Sequence, residues 1–149
     1  MAVTGIIEDG VRDKLLATAG VTALLGQRIW TARARTGQTR STDKTTQYTY
    51  AVVEKQSAGR DNELHAGGAS TLAVAALTIG VFGATFEAAR DAANAIKTAI
   101  NGKRGAFGDE HVSYCFVQDV IQAEAPPTRD DEMGVPGYAL AVDIAYRTT

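Results

Sequence analysis

The stretch LAVAALTIGVF at residues 72–82 is the feature that most limits what this chain can fold into. It mixes β-branched residues with alanine and is apolar on both of the faces that a strand would present. A strand of this kind lies in the centre of a sheet, or has its second face covered by a partner chain. The stretch is far too short to cross a bilayer. The sequence therefore predicts a central β-strand and no membrane span.

Two segments have the spacing of amphipathic helices. The first is predicted to start with Thr4 as N-cap and to end at Gly20. Its apolar stripe takes every fourth position: Val3, Ile7, Val11 and Leu15. The second covers 85–101, with Thr85 as N-cap and Gly102 as the left-handed residue at its end. Its stripe consists of Phe86, Ala89, Ala93, Ile96 and Ile100.

The remaining apolar segments are shorter. Residues 21–26 predict one helical turn, and Ile29 with Trp30 begins an extended piece. Three further strands are predicted at 48–55, 112–122 and 138–146. In the first of them, one face carries Tyr48, Tyr50 and Val52. In the second, one face carries Val112, Tyr114 and Phe116 and the other carries Ser113 and Cys115. In the third, Tyr138, Leu140, Val142, Ile144 and Tyr146 alternate with Ala139, Ala141, Asp143 and Ala145.

Helices and strands do not alternate one for one along this chain. The order favours an α+β fold over a doubly wound parallel sheet. We expect an antiparallel or mixed sheet of four to five strands with two helices packed on one face. Residues 31–46 hold no large hydrophobe and predict a long polar loop or arm, and 56–70 form a second polar connection. A length of 149 residues fits one domain, 1–149.

Composition excludes several classes of protein. Hydrophobic residues make up 45% and charged residues 21%, which is typical of a packed globular chain. A net charge of −2 gives the chain no global reason to coat nucleic acid or an anionic membrane. Cys115 is the only cysteine, and the N-terminal segment lacks the features of a signal peptide. Both observations favour folding in a reducing cytoplasm.

Charge is nevertheless unevenly placed. Residues 28–60 contain seven basic and two acidic residues, whereas 109–143 contain eight acidic residues and one basic residue. Such separation suits a protein that meets copies of itself or a partner through opposed faces, and it is also produced by ordinary polar loops. The arm carries Arg33, Arg35, Arg40 and Lys44. Three interpretations are open: these residues contact phosphates, stay solvated, or become ordered by contact with a neighbouring subunit. We favour the third.

The alanine-rich face of the last strand leaves two interpretations open. A face built from Ala139, Ala141 and Ala145 with Asp143 is neither a normal core nor a normal solvated surface. It suits contact with another subunit, or it is simply a small exposed face.

No arrangement of residues indicates catalysis. The two histidines, His65 and His111, have no second ligand at helical spacing, and the common metal, nucleophile and phosphate-loop motifs are absent from the sequence. Asp130, Asp131 and Glu132 form one carboxylate cluster, which is more typical of a solvated turn than of a cation site. We therefore predict no enzyme activity, no cofactor and no metal.

Several segments resemble one known family, the tail terminator or tail completion proteins of long-tailed phages, also described as head–tail joining proteins. The first is Leu24-Leu25-Gly26-Gln27-Arg28-Ile29, which is similar to the family's LLG-x-R-[IV] run. The others are the strand at 48–54, the unit LTIGVFGATFEAARDAANAIKTAI, and Asp130-Asp131 before the strand YALAVDIAYR. The chain departs from the family at Thr49-Tyr50-Ala51, where many relatives have a proline, and its arm is longer.

The resemblance implies a structural virion protein at the tail–neck junction, made in the bacterial host cytoplasm and encoded by a phage, prophage or gene transfer agent. It implies a homo-hexameric ring that caps the tail tube, ends its polymerisation and joins the head connector or stopper protein. DNA would pass through the lumen only as cargo, and no membrane would be involved. The residues expected at an interface or lumen are Arg33, Arg35, Arg40, Lys44, Asp130, Asp131, Glu132 and Asp143. The alternatives are another neck or tail component, such as a stopper or tail tube subunit, and a small nucleic-acid-binding α+β module.

Overall fold

A computed structural model of the chain describes residues 7–31, 38–41, 46–57, 72–125 and 135–147. Nine elements follow one another in these ranges. They are α1 (Ile7–Leu16), α2 (Ala19–Leu25), β1 (Ile29–Thr31), β2 (Tyr50–Ser57), β3 (Leu72–Phe82), α3 (Phe86–Ile100), β4 (Gly105–Phe107), β5 (Glu110–Ala125) and β6 (Val135–Arg147).

The strands form one mixed sheet in the order β1-β2-β3-β6-β5-β4. Only β1 and β2 are parallel among the described pairs, and the other neighbours are antiparallel. The three helices pack against the same face and enclose the main core with it. The α+β class and the one-sided helix layer are therefore confirmed. The expected four to five strands and two helices become six strands and three helices. The helix α2 and the strand β1 lie where the sequence predicted a helical turn and an extended piece, whereas β4 was not predicted because three residues are too few to show a period.

The central strand is confirmed at Leu72–Phe82, with neighbours on both sides. The helix that follows it is confirmed as well: Thr85 Oγ1 accepts a hydrogen bond from the Ala88 N–H at 3.1 Å. Gly102 adopts φ +73°, the left-handed conformation expected after the last turn. The stripe is buried except for Phe86, and its alanines let α3 approach the sheet closely.

The predicted end of the first helix was wrong. α1 ends at Leu16, and Gly20 lies inside α2 instead of terminating α1. The break occurs at Thr18, which has an extended backbone (φ −100°, ψ 114°) and whose hydroxyl donates to the Lys14 carbonyl oxygen at 2.8 Å. Gly26, at φ +57°, ends α2 as expected. The predicted cap at Thr4 lies outside the described residues.

The predicted faces of β5 were also wrong. Val112 is buried in the core, but Tyr114 and Phe116 lie on the opposite face, and Cys115 takes the core position. The pairing with β6 shifts by one residue between Val112 and Tyr114. A bulge of this kind adds one residue to one strand and exchanges the faces of everything beyond it. After a second shift between Val117 and Asp119, Val120 packs against the core and Ile121 lies on the opposite face.

Candidate interaction surface on the helix-free face of the sheet

The face of the sheet opposite the helices, called here the outer face, is the main candidate site. It is assembled from alternate residues of the central strands, which the pairing register brings into rows. One row runs from Ala76 through Asp143 to Phe116, the next from Thr78 through Ala141 to Asp119, and a third from Gly80 through Ala139 to Ile121. The alanine–aspartate face predicted around Asp143 thus lies within a much larger face.

Large apolar side chains are exposed on the β5 side of the outer face. Phe116 is 51% exposed, Ile121 55% and Tyr114 37%. The rings of Tyr114 and Phe116 contact each other, with 5.4 Å between their centroids. Single exposed hydrophobes are common on protein surfaces, but a contiguous group on one face is typical of an interaction site.

A second aromatic group lies toward the other edge of the sheet. Trp30, Tyr50 and Phe82 are in contact, with centroid separations of 5.9 and 5.4 Å along the series. The Phe82 ring lies directly over Gly80 and Gly137, where any Cβ would overlap it. Because these two positions are glycine, the ring lies flat on the sheet and closes one side of the outer face.

Between the two aromatic groups, the surface is built from small residues. Ala76, Gly80 and Ala139 are half-buried, and Ala141 is exposed. Side chains this small leave the sheet surface low between the aromatic groups and permit close approach of another backbone or side chain. The expected alanine–aspartate face is therefore present, and it is the middle of a wider trough.

The outer face also carries carboxylates. Asp143 is half-buried and its Oδ2 accepts a hydrogen bond from the Gln118 side-chain amide. Asp119 and Glu54 are exposed on the same face. This part of the molecule therefore combines exposed apolar groups with negative charge, which does not suit contact with nucleic-acid phosphates.

Of the other predicted interface residues, the structure describes only Arg40. Arg40 forms an isolated antiparallel bridge with Gln47 and makes further contacts. The remaining predicted residues lie outside the described ranges, and their role stays a prediction: Arg33, Arg35, Lys44, Asp130, Asp131 and Glu132.

Three residues of the outer face were missed in the sequence: Tyr114, Phe116 and Ile121. Simple alternation placed the first two on the same face as Val112. The bulge that separates them from Val112 lies in the pairing with β6, beside the end of α3, where Gly102 N–H donates to the Cys115 carbonyl oxygen at 2.7 Å. No local sequence pattern marks that contact.

A second surface lies among the helices and is basic. An open groove of about 490 Å³ is lined by Lys14, Thr18, Gly20, Asn94, Ala95, Thr98, Ala99 and Lys103. Its two lysines come from α1 and from the segment after α3, and exposed Lys97 and Arg104 add positive charge at the same end of α3. The groove is chemically opposite to the outer face.

Two reactive side chains within the described ranges, Cys115 and Glu110, are buried. Burial raises the pKa of the Cys115 thiol to about 12, so the thiolate nucleophile is scarce at neutral pH. Glu110 is buried, with both carboxylate oxygens lacking a hydrogen-bond partner, and burial followed by the charge of Asp109 raises its pKa. Across the described ranges, no three His, Cys, Asp or Glu residues are grouped as a metal site would require.

Membrane insertion through a helix finds no support in the described part of the chain. No helix there has both the length and the apolar character needed to cross a bilayer.

Comparison with known proteins places the chain in a family. Over its full length the fold is similar to a chain of a solved structure described as the virion of a native gene transfer agent particle, with a TM-score of 0.59 and 19% sequence identity. That match covers 98% of this chain and 95% of the other. No curated protein sequence gives a significant match. Residues 9–126 match the family described as tail completion protein gp17. The chain therefore belongs to the tail completion protein family, and it is a structural component of a phage-type virion.

Proposed function

We propose that this protein is a ring-forming tail terminator. In this role, copies of the 1–149 chain, as one domain, form a homo-hexamer on the end of the tail tube. The ring ends tube polymerisation and presents the surface that the head connector or stopper protein joins. DNA passes through the lumen as cargo.

The observation that carries this proposal is the outer face, taken together with the family. A sheet face with exposed Phe116 and Ile121 beside small residues is suited to contact with another protein surface. A virion subunit needs such surfaces toward copies of itself and toward its neighbours. The carboxylates on this face suit contact with a protein better than contact with nucleic acid, because carboxylates repel phosphates.

The proposal is tested by deleting the gene for this protein from the genome that encodes the particle. We expect tails of irregular and excessive length, measured by negative-stain electron microscopy, with heads left unjoined. A stopper would give a different result, because tails would keep their normal length while heads stayed unjoined. Loss of the tails altogether would indicate a tube subunit. Either result would contradict the terminator role, and complementation with the intact gene controls for effects on neighbouring genes.

A further inference from the structure

The acidic residues of the outer face form an ordered group. Register places Glu54 opposite Thr78, Thr78 opposite Ala141, and Ala141 opposite Asp119, so one row crosses four strands with a carboxylate at each end. Asp143 lies two residues along β6 from this row. The rows from Ala76 to Gly80 include no lysine or arginine on the outer face among the described residues.

The basic groove has the complementary character. Lys14 and Lys103 contribute its positive charge, and Gly20, Ala95 and Ala99 contribute small residues to its lining. The polar side chains of Thr18, Asn94 and Thr98 offer hydrogen-bonding groups. The groove therefore suits a surface that brings carboxylates together with apolar groups.

We infer that the outer face of one copy docks on the basic groove of the next copy. The rows from Ala76 to Gly80 and the groove have opposite charge, and Arg147 lies on the outer face beyond these rows. Both surfaces are built on small residues, and they lie on different sides of one chain. A contact between two different surfaces is heterologous, so each copy keeps one free surface of each kind and the contact repeats until a ring closes. The inference rests on the proposed ring-forming function and specifies its subunit interface.

Charge reversal on each surface tests the contact. The sheet variant is Glu54→Lys with Asp119→Lys, and the groove variant is Lys14→Glu with Lys103→Glu. Self-association is measured by sedimentation velocity up to millimolar concentration at low salt. We expect each variant alone to associate at least about tenfold more weakly than the unchanged protein, because like charges then face each other.

The mixture of the two variants gives the decisive result. In an equimolar mixture, each lysine-bearing sheet face meets a glutamate-bearing groove, and each unchanged sheet face meets an unchanged groove. We expect assembly to return in the mixture, and also in a single chain that carries all four substitutions. A general loss of folding could not produce this pattern.

Matched controls separate charge at the interface from charge in general. Asp9→Lys with Glu87→Lys changes the same number of exposed acids to lysine on the helix side, and should associate normally. If Lys14→Glu disturbs packing against Phe107, seen as a lowered melting temperature, Lys103→Glu with Arg104→Glu replaces it, because both of these side chains are exposed.

Several results would overturn the inference. They are normal association of either folded variant, a mixture that stays dissociated, and an unchanged protein that remains monomeric at millimolar concentration. Loss of tube attachment with unchanged self-association would also overturn it and would assign the outer face to the tube protein. Restored assembly in a protein that does not control tail length would leave the inference standing and contradict the proposed function.

Discussion

The two faces of the sheet carry different kinds of side chain, although the same strands contribute to both. On the helix side, Leu77, Ile79 and Ile144 are completely buried and packed against the helices. On the outer side, the intervening positions hold alanine, glycine, threonine and aspartate, and the large apolar groups lie at the margins. The first face is shaped by the need to fill a core. The second has no described element packed over it, and its small residues and exposed apolar groups suit contact with another protein surface.

The largest expected effect comes from truncating matched isoleucines on the two faces. Ile144→Ala removes a fully buried side chain, and we expect it to lower the free energy of unfolding by about 2–5 kcal/mol. Ile121→Ala removes a side chain that is 55% exposed, and it should cost under about 1 kcal/mol. Urea unfolding followed by circular dichroism measures both. Equal losses would contradict the assignment of Ile121 to an exposed face.

A glycine pair gives the next largest effect. Gly137→Ala would place a methyl group against the Phe82 ring, and we expect a loss of about 1–3 kcal/mol. Gly20 has no neighbour within 4 Å of its potential Cβ and lies inside α2. Gly20→Ala should therefore stabilise the protein by about 0.5–1 kcal/mol, because alanine restricts the unfolded chain. Because a Cβ at Gly137 would also overlap the Val81 carbonyl oxygen of the backbone, effects of the same sign would contradict the close packing described around Gly137.

Glu110→Gln should raise the free energy of unfolding at neutral pH by about 1 kcal/mol, since a buried carboxylate without hydrogen bonds is costly to ionise. The pKa of Glu110 is raised on folding, chiefly by burial. Its contribution to stability is therefore fully present below the pKa of the unfolded chain and is lost as pH rises through the folded pKa.

The measurement is the difference in unfolding free energy between Glu110→Gln and the unchanged protein across pH. This difference should shrink as pH falls toward the ordinary carboxyl range. Asp9→Asn, at an exposed acid of α1, provides the control and should show little dependence of this kind. A difference for Glu110→Gln that is constant with pH would mean that ionisation of this residue is not what destabilises the fold.

The smallest expected effect on stability comes from Phe116→Ser. Because the ring is half exposed and lies outside the core, the free energy of unfolding should change by about 0.5 kcal/mol or less. Self-association should weaken all the same, as light scattering over a concentration range would show. A large loss of stability with unchanged association would contradict this prediction, because Phe116 would then behave as a core residue and not as part of an interaction surface.

Much of the fold was predictable because its strongest elements carry their own signals. β3 is apolar throughout, and α3 has a capping threonine, an alanine–isoleucine stripe and a terminal glycine. The alternation of β6 also separated its core residues from Asp143 correctly. The strand β1 was predicted only as the start of an extended piece, and β4 was not predicted, because three residues are too few to show a period. Thr18 was missed as a helix break because its extended backbone has no strong local signature.

The candidate site was only partly predictable. The alanine–aspartate side of β6 was predicted from the sequence because its residues alternate strictly with the large apolar residues of the core side. The exposed aromatics of β5 were wrongly placed on the same face as Val112, since one bulge between Val112 and Tyr114 exchanges the faces. A bulge depends on how two strands pair, and the residue pattern of one strand does not show how that strand pairs with its neighbour.

The sequence by itself determined the α+β class, the central strand, the helix that follows it and the family resemblance, because burial and capping act on residues near one another in the chain. Only the tertiary structure decided which side chains share the outer face and which surround the basic groove. Those groupings join residues from β2, β5 and β6, or from α1 and α3. Their positions depend on strand register and helix packing, which are set by contacts between distant segments.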